Sequence, residues 1–495
     1  MKTICLAYAA NNPRLPHFPE GPLSLGGALR EAGFKATLLD AALVSPTQWH
    51  FDDPLFLGIS VYTNESIRTG IELAQSFRSA HPAVPIIWGG PHAQLAPDET
   101  ARHPLADCVC PGEGERAIVR LAEQLSQGQS DFGAIPGLVF KNGDDIVHTI
   151  QEDPLPPEAF PWPDYTLIEH DRYFLARRKF YYLSSRGCPC RCVFCNIRHN
   201  NQRWRAKPAE RVLEEISRIV ATFQPEEFYI SDANFFPSLD RVRKICEGIL
   251  ERGFTFRWTA FCRIDTIQRM PDELLKLLRQ SGCYRLDIGG ESGSDRILER
   301  LSKGITRDMI LDSVERIWRA DIMPELSFMT GLPFEHKEDT QATLTLAERL
   351  RKDFPGTTIN GIFYYQPYPD TELGAQVIRE WNLPIPKSLE AWARHPITLP
   401  RREYFPWLSR RLYQRMVTVS TIASYLHIYE RITSEARRPG AKQSLLLRSM
   451  ILGIRVLHHT VGRVAIWLRL EKGMDWFPVE WRLFAFLRNK ILKAV

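Results

Sequence analysis

No uncharged apolar run in these 495 residues reaches the eighteen or so needed to span a bilayer. The nearest, residues 416–429, is shorter and carries Thr, Ser and His. A membrane-spanning helix is therefore not expected. The opening residues, Met-Lys-Thr-Ile-Cys-Leu-Ala-Tyr-Ala, offer no cleavage site and read as a first strand. Ten cysteines without an export signal point to a reducing cytoplasm rather than a disulfide framework. Charge of one sign is also lacking. With 63 basic and 58 acidic residues the net charge is +5, too mild to indicate nucleic acid, and no nucleic-acid partner is expected. Internal repeats and low-complexity tracts are absent. What remains is an ordinary globular composition, long enough for two or three domains with buried cores.

The most informative segment is 186–196, Arg-Gly-Cys-Pro-Cys-Arg-Cys-Val-Phe-Cys-Asn. Cys188, Cys192 and Cys195 are spaced C-x₃-C-x₂-C, with Phe194 just before the last. Zinc usually takes four ligands in two separated pairs, and no second pair follows at a suitable distance. Three thiolates from one loop can instead hold a corner of a 4Fe–4S cluster and leave one iron open. This spacing resembles the radical S-adenosylmethionine (SAM) enzymes. The resemblance implies a 4Fe–4S cluster on Cys188, Cys192 and Cys195, with SAM chelating the open iron. Cys190 departs from the usual pattern, in which an aromatic often follows Cys-Pro, and is expected to point away from the cluster.

Residues 1–150 alternate short β-rich runs (3–7, 36–39, 55–60, 86–88, 107–110) with amphipathic helical patterns such as 23–32 and 66–79. That rhythm predicts an α/β, doubly wound, Rossmann-like open parallel sheet, whose ligands bind beyond the carboxyl ends of its strands. The loops there are Ser60-Val-Tyr-Thr-Asn64, Gly89-Gly-Pro-His-Ala93 and Gly112-Glu-Gly-Glu115. As a set they resemble the cobalamin-binding domain that precedes many radical SAM cores. By that resemblance Ser60, Thr63, Gly89, Gly90, Pro91 and His92 face the corrin or its nucleotide tail. The Asp-x-His-x-x-Gly motif that supplies a cobalt-ligating histidine elsewhere is missing; His17 is followed by Phe-Pro-Glu. His92 reads as structural, so cobalamin is expected without a protein histidine on cobalt. The competing reading is a domain that no longer binds corrin.

A proline-rich stretch, 153–165, falls within the linker expected at 151–172. Between 173 and 376 the alternation returns, with strands predicted at 181–185, 227–230, 256–261, 284–288, 325–329 and 359–364. Six βα units suit a partial barrel whose site lies at the carboxyl ends of the strands, and the cysteine loop follows the first. These segments again resemble the radical SAM core. Carried over by position, Phe194 packs beside the adenine, Asp232 lies near the methionyl amine and Glu291 near the ribose. Arg263 either holds the SAM carboxylate or pairs inside the barrel. Tyr364, Tyr365 and Tyr368 are either a substrate wall or core.

Residues 377–495 form a helical, basic C-terminal region, rich in Arg, Trp and Leu. Two readings stand for it, a peripheral contact with an anionic membrane surface and a lid over the barrel. The resemblance implies an enzyme that functionalises an unactivated carbon. Electron transfer from the reduced cluster cleaves SAM to a 5′-deoxyadenosyl radical, and methylcobalamin then donates a methyl group to the substrate radical. Cobalamin-dependent C-methylation is the first reading. An oxidative cyclase or lipid-modifying enzyme without methyl transfer is the alternative, and a non-catalytic cobalamin sensor a third. The partners implied are a small-molecule or lipid substrate and an electron donor such as flavodoxin or ferredoxin. The location expected is cytoplasmic, with membrane association open.

Overall fold

The computed structural model describes residues 2–9, 18–41, 43–63, 65–169, 172–173, 178–198, 203–395 and 401–420. His17 and residues 421–495, which carry most of the basic C-terminal region, lie outside the described residues.

The first sheet is built from β1 (Thr3–Tyr8), β2 (Ala36–Asp40), β3 (Pro54–Ser60), β4 (Ile86–Gly89), β5 (Cys108–Val109), β6 (Val139–Asn142) and β7 (Asp145–His148). Its order is β2-β1-β3-β4-β5-β6-β7. The first five strands are parallel and β6 and β7 turn back antiparallel. The helices between them are α1 (Glu20–Glu31), α2 (Glu65–Ala80), α3 (Pro91–Leu95), α4 (Pro97–Ala101) and α5 (Glu115–Ser126). Two cores cover opposite faces. Trp88, Phe77 and Leu73 fill one; Ile4, Leu29, Phe56 and Leu121 fill the other. That two-sided burial is why the parallel strands read as continuous apolar runs.

The second sheet follows β8 (Lys179–Tyr182), with a short ladder of β9 (Ser185–Arg186) against β10 (Arg205–Ala206). Then come α6 (Ala209–Phe223), β11 (Glu227–Ile230), α7 (Leu239–Glu251), β12 (Arg257–Cys262), α8 (Ile264–Arg269) and α9 (Asp272–Gln280). The unit closes with β13 (Cys283–Glu291), α10 (Asp295–Arg300), α11 (Arg307–Arg319), β14 (Met323–Thr330), α12 (Lys337–Asp353) and β15 (Thr358–Tyr364). Six strands lie parallel in the order β15-β14-β13-β12-β11-β8, the arrangement of a partial barrel. Alternation sorts their side chains. Phe180, Phe228, Trp258, Leu286 and Leu326 face the helices and are fully buried. Lys179, Glu227, Thr259, Arg285 and Glu325 occupy the opposite face, towards the lumen.

Phe18 and Leu23, at the entrance to α1, belong to the same apolar cluster as the barrel core, so the two sheets share packing. Beyond the barrel, α13 (Glu372–Trp381) and α14 (Leu389–Ala393) lead back to the first sheet, where Leu389 and Trp392 enter its core. Residues 410–420 are helical. Among the described residues no helix is long and apolar enough to cross a membrane.

Candidate cofactor site

Local geometry explains how the cysteine loop is held. Gly187, just before Cys188, has φ +78°, a left-handed conformation that glycine adopts without strain. The β9/β10 ladder ties the two ends of the loop together, with Arg205 opposite Arg186. On the far side Val193 N–H donates to the Leu301 carbonyl at 3.3 Å, and Leu373 N–H donates to the Val193 carbonyl at 3.0 Å.

Asp232 fixes the base of the loop. It is fully buried, and its carboxylate accepts from Ser184 N–H (2.6 Å), Ser184 Oγ (2.6 Å), Ser185 N–H (3.0 Å) and Ser185 Oγ (2.5 Å). Both carboxylate oxygens are engaged with the strand that leads into the cysteines. Burial nonetheless raises the Asp232 carboxyl against those four donors. Arg241 completes the brace, donating to the Ser184 hydroxyl at 2.8 Å and to the Lys207 carbonyl at 2.7 Å.

The other SAM candidates converge on the loop. An Arg263 guanidinium nitrogen lies 3.3 Å from Cys192 Sγ, while a second donates to the Lys303 carbonyl at 2.8 Å. Lys303 Nζ donates to Glu291 Oε1 at 2.6 Å and stands 6.0 Å from the Phe194 ring centre. Glu291 itself adopts φ +60°, at a register break between Gly289 and Glu291. Positive φ is unusual for a non-glycine residue and marks a strand end bent to aim a side chain. A Cβ on Gly289 would lie 2.2 Å from Glu291 Oε1, so glycine there makes room for the Glu291–Lys303 pair over the lumen.

Cys190 neighbours Cys188, an interaction that lowers the Cys188 thiol and raises that of Cys190. Asn234 Nδ2 approaches both sulfurs, at 3.9 and 4.0 Å. Among the described residues no three His, Cys, Asp or Glu groups stand at metal-ligand spacing. The donor set fits a cluster: three thiols on one loop, with N–H groups of Arg263 and Asn234 aimed at sulfur.

A cavity of about 430 Å³ lies between this loop and the carboxyl end of the first sheet. Ser60, Gly89 and Gly90 line it, together with Gly58, Gly112 and Gly114. A Cβ on Gly89 would meet only the Cys110 carbonyl, at 3.7 Å, and one on Gly112 nothing within 4 Å. The cradle is open because side chains are missing from it, which suits a broad ligand approached by backbone. Gly90 is different: its φ is +86°, and a Cβ would lie 2.6 Å from Ser60 Oγ.

Thr63, Pro91 and His92 do not line the cavity. His92 is fully buried, bonded through Nδ1 to Thr63 Oγ1 at 3.2 Å and packed edge-on against Trp392 at 5.5 Å. Burial depresses its imidazole to about 4. It braces the Gly-Gly-Pro loop from behind. Tyr365 is likewise core, and the Tyr364 ring packs 6.0 Å from Phe405.

Sequence reasoning missed the groups that join the two halves. Arg186 donates to Glu115 at 2.6 Å, Ser24 Oγ donates to the same oxygen at 2.7 Å, and Arg205 pairs with Glu113 at 2.5 Å. Burial raises the Glu115 carboxyl, but Arg186 and Ser24 outweigh it and hold it below its usual range. The Gly-Glu-Gly-Glu pattern was the available signal. Glu20, at the start of α1, accepts from Ser231 Oγ at the end of β11, and both line the cavity.

A cysteine loop at the mouth of a six-stranded parallel barrel, facing a glycine-walled cavity on an open α/β sheet, defines a class of enzyme with two adjoining cofactor sites. Comparison names it. Residues 182–347 match the radical SAM superfamily and residues 9–122 the B12 binding domain. An uncharacterized methyltransferase of Pyrococcus horikoshii is 32% identical over 328 residues, covering 65% of this chain and 69% of that protein. The anaerobic magnesium-protoporphyrin IX monomethyl ester cyclase of Cereibacter sphaeroides is 26% identical over 377 residues, covering 70% of this chain and 58% of its own length. Among solved structures, the cobalamin-dependent radical SAM enzyme OxsB superposes with a TM-score of 0.70 at 18% identity, over 99% of this chain and 75% of that one. The methyltransferase TsrM of Kitasatospora setae gives 0.64 at 18% identity over 77% of each. The chain belongs to the radical SAM enzymes that carry an N-terminal B12-binding domain. The cofactors of that family are a 4Fe–4S cluster, SAM and cobalamin.

Proposed function

We propose that the protein is a cobalamin-dependent radical SAM C-methyltransferase acting on a small molecule. The observation that carries this reading is the apposition of the two cofactor sites: one cavity wall is the glycine cradle, and another is the strand that leads into the cysteine loop. The methyltransferase among the relatives points the same way. When bound, the cofactors supply the one-electron and methyl-transfer chemistry, and the chain supplies position.

Cys188, Cys192 and Cys195 hold the cluster, and Arg263 and Asn234 donate N–H groups towards its sulfurs. Glu291, fixed by Lys303, serves the ribose hydroxyls, and Phe194 flanks the adenine. Gly58, Ser60, Gly89, Gly90 and Gly112 receive the corrin, with no histidine on cobalt. Asp232, Thr63 and His92 act through other residues. The domain division is 1–150, 151–172, 173–376 and 377–495.

The start of the C-terminal region favours the lid. Trp407 Nε1 donates to the Gly331 carbonyl at 3.0 Å, and Phe405 and Met416 are buried beside Gly331 at the end of β14. Any membrane contact falls to residues 421–495. The electron comes from an external reductant of the flavodoxin or ferredoxin type.

The test is anaerobic turnover with SAM deuterated in its methyl group, added cobalamin, a reductant and a metabolite extract. A product carrying the CD₃ group, with 5′-deoxyadenosine and S-adenosylhomocysteine both released, is expected. A dehydrogenated or cyclised product without deuterium would replace methyl transfer by the cyclase reading.

A further inference from the structure

The lumen of the barrel carries two sets of side chains of opposite character. One set is ionic and closed on itself. Lys179 and Arg257 pair with Glu227 at 3.5 and 2.7 Å, and Arg285 pairs with Asp287 at 2.8 Å and Glu325 at 3.4 Å. Three cations meet three anions, and each of the six has a partner. Tyr229 and Tyr284 spend their hydroxyls on the same network, donating to Asp287 at 3.1 Å and to Glu227 at 2.8 Å.

The other set is aromatic and lies alongside it, Phe261 pairing in register with Asp287. Tyr181, Tyr229 and Phe261 form a row across β8, β11 and β12, with ring centres 5.4 and 5.9 Å apart. Phe261 is 42% exposed, although β12 is an interior strand and its neighbours Ala260 and Cys262 are buried. Its ring is therefore bared to the lumen, not to a sheet edge. Across the sheet Phe363 is 46% exposed. It pairs in register with Met329, on the lumen side of β14, and lies over Gly361, where a Cβ would come within 2.8 Å of the ring. The Glu291–Lys303 pair stands over Gly289 on β13, between β12 and β14.

Exposed rings on a buried scaffold mark a site for an apolar partner. A charged group entering this lumen would lose its water and find every counter-charge already engaged. Resting on the methyltransferase reading, we propose that the reacting part of the substrate is an uncharged, flat, unsaturated or aromatic group. It is held between the Tyr181–Tyr229–Phe261 row and Phe363. The rings orient its face, as offset or edge-on aromatic contacts do, and the neighbouring ion pairs leave no free counter-charge for an ionic group.

The experiment measures binding rather than turnover, so its failure is distinct from failure of methyl transfer. Three probes of one shape are titrated into the cluster-, SAM- and cobalamin-loaded protein by calorimetry: 1-naphthalenemethanol, 1-naphthoate and 1-naphthylmethylammonium. The neutral alcohol should bind, and both ions should bind roughly a hundredfold more weakly or not at all. Phe261→Ala and Phe363→Ala should each weaken the alcohol about tenfold, with Phe261→Leu between them and wild type. Iron content and SAM affinity should not change, because both rings are exposed and neither residue is among those assigned to the cluster or to SAM. Equal or tighter binding of either ion, no binding of the alcohol, or alanine variants that bind it like wild type would each overturn the proposal.

Discussion

Both sheets present the carboxyl ends of their strands to the same gap, and they do so with opposite materials. The first sheet presents glycine: Gly58, Gly89 and Gly112 leave a cavity because nothing projects into it. The second presents committed side chains, with Asp232 bonded to Ser184 and Ser185, Glu291 to Lys303 and Arg263 to the Lys303 carbonyl. A broad, rigid ligand needs space and backbone. A cluster and a flexible nucleoside need fixed polar groups. The two ends should therefore fail in different ways.

The largest effects separate them. Changing Cys188, Cys192 and Cys195 together to Ala should abolish iron binding and SAM cleavage while cobalamin still binds, read by iron analysis and the corrin spectrum. Gly58→Leu should do the reverse. A Cβ there would meet Leu6 at 3.3 Å and Ile118 at 3.8 Å, both on the cavity wall, so a leucine branch crowds that wall. Cobalamin uptake should be lost and the cluster retained. Loss of both cofactors in either variant would erase the distinction.

Glu291→Ala is the next test. Removing a buried carboxylate that faces a sugar hydroxyl costs about 1.5–3 kcal/mol, or roughly ten- to a hundredfold in SAM affinity. An unchanged dissociation constant would place Glu291 outside the site.

The smallest effect concerns Glu20, where the two ends touch. Burial raises its carboxyl from 4.5 to about 7, against the opposing hydrogen bond from Ser231. The folded protein thus keeps this proton after the unfolded chain has lost it. Its contribution is full below pH 4.5 and is lost as the pH rises through about 7. Glu20→Gln should flatten that slope in thermal midpoints measured across the interval, and an unaltered slope would remove Glu20 from the interface account.

Much of this architecture was legible in the chain because its causes are local. Parallel strands buried on both faces read as apolar runs, and the three thiols sit within eight residues of one another. The β6–β7 hairpin was missed although Asn142-Gly143, with Gly143 at φ +62°, is a turn signal. The β9/β10 ladder, of two residues a side, is too short for any periodicity. The resemblance placed Asp232 near the SAM amine by position; only the fold shows that it also bonds Ser184 and Ser185, almost fifty residues earlier. The Glu20–Ser231 contact joins residues 211 apart, and nothing in either neighbourhood announces it.

The most direct test of the two-sided site is a structure of the anaerobically reconstituted protein with SAM and cobalamin, located by iron and cobalt anomalous scattering. The account predicts iron bonded to Cys188, Cys192 and Cys195, and cobalt over the cradle of Gly58, Gly89 and Gly112 with no protein nitrogen bonded to it. Iron held by Cys190 in place of one of the three, or cobalt outside that cavity, would contradict it.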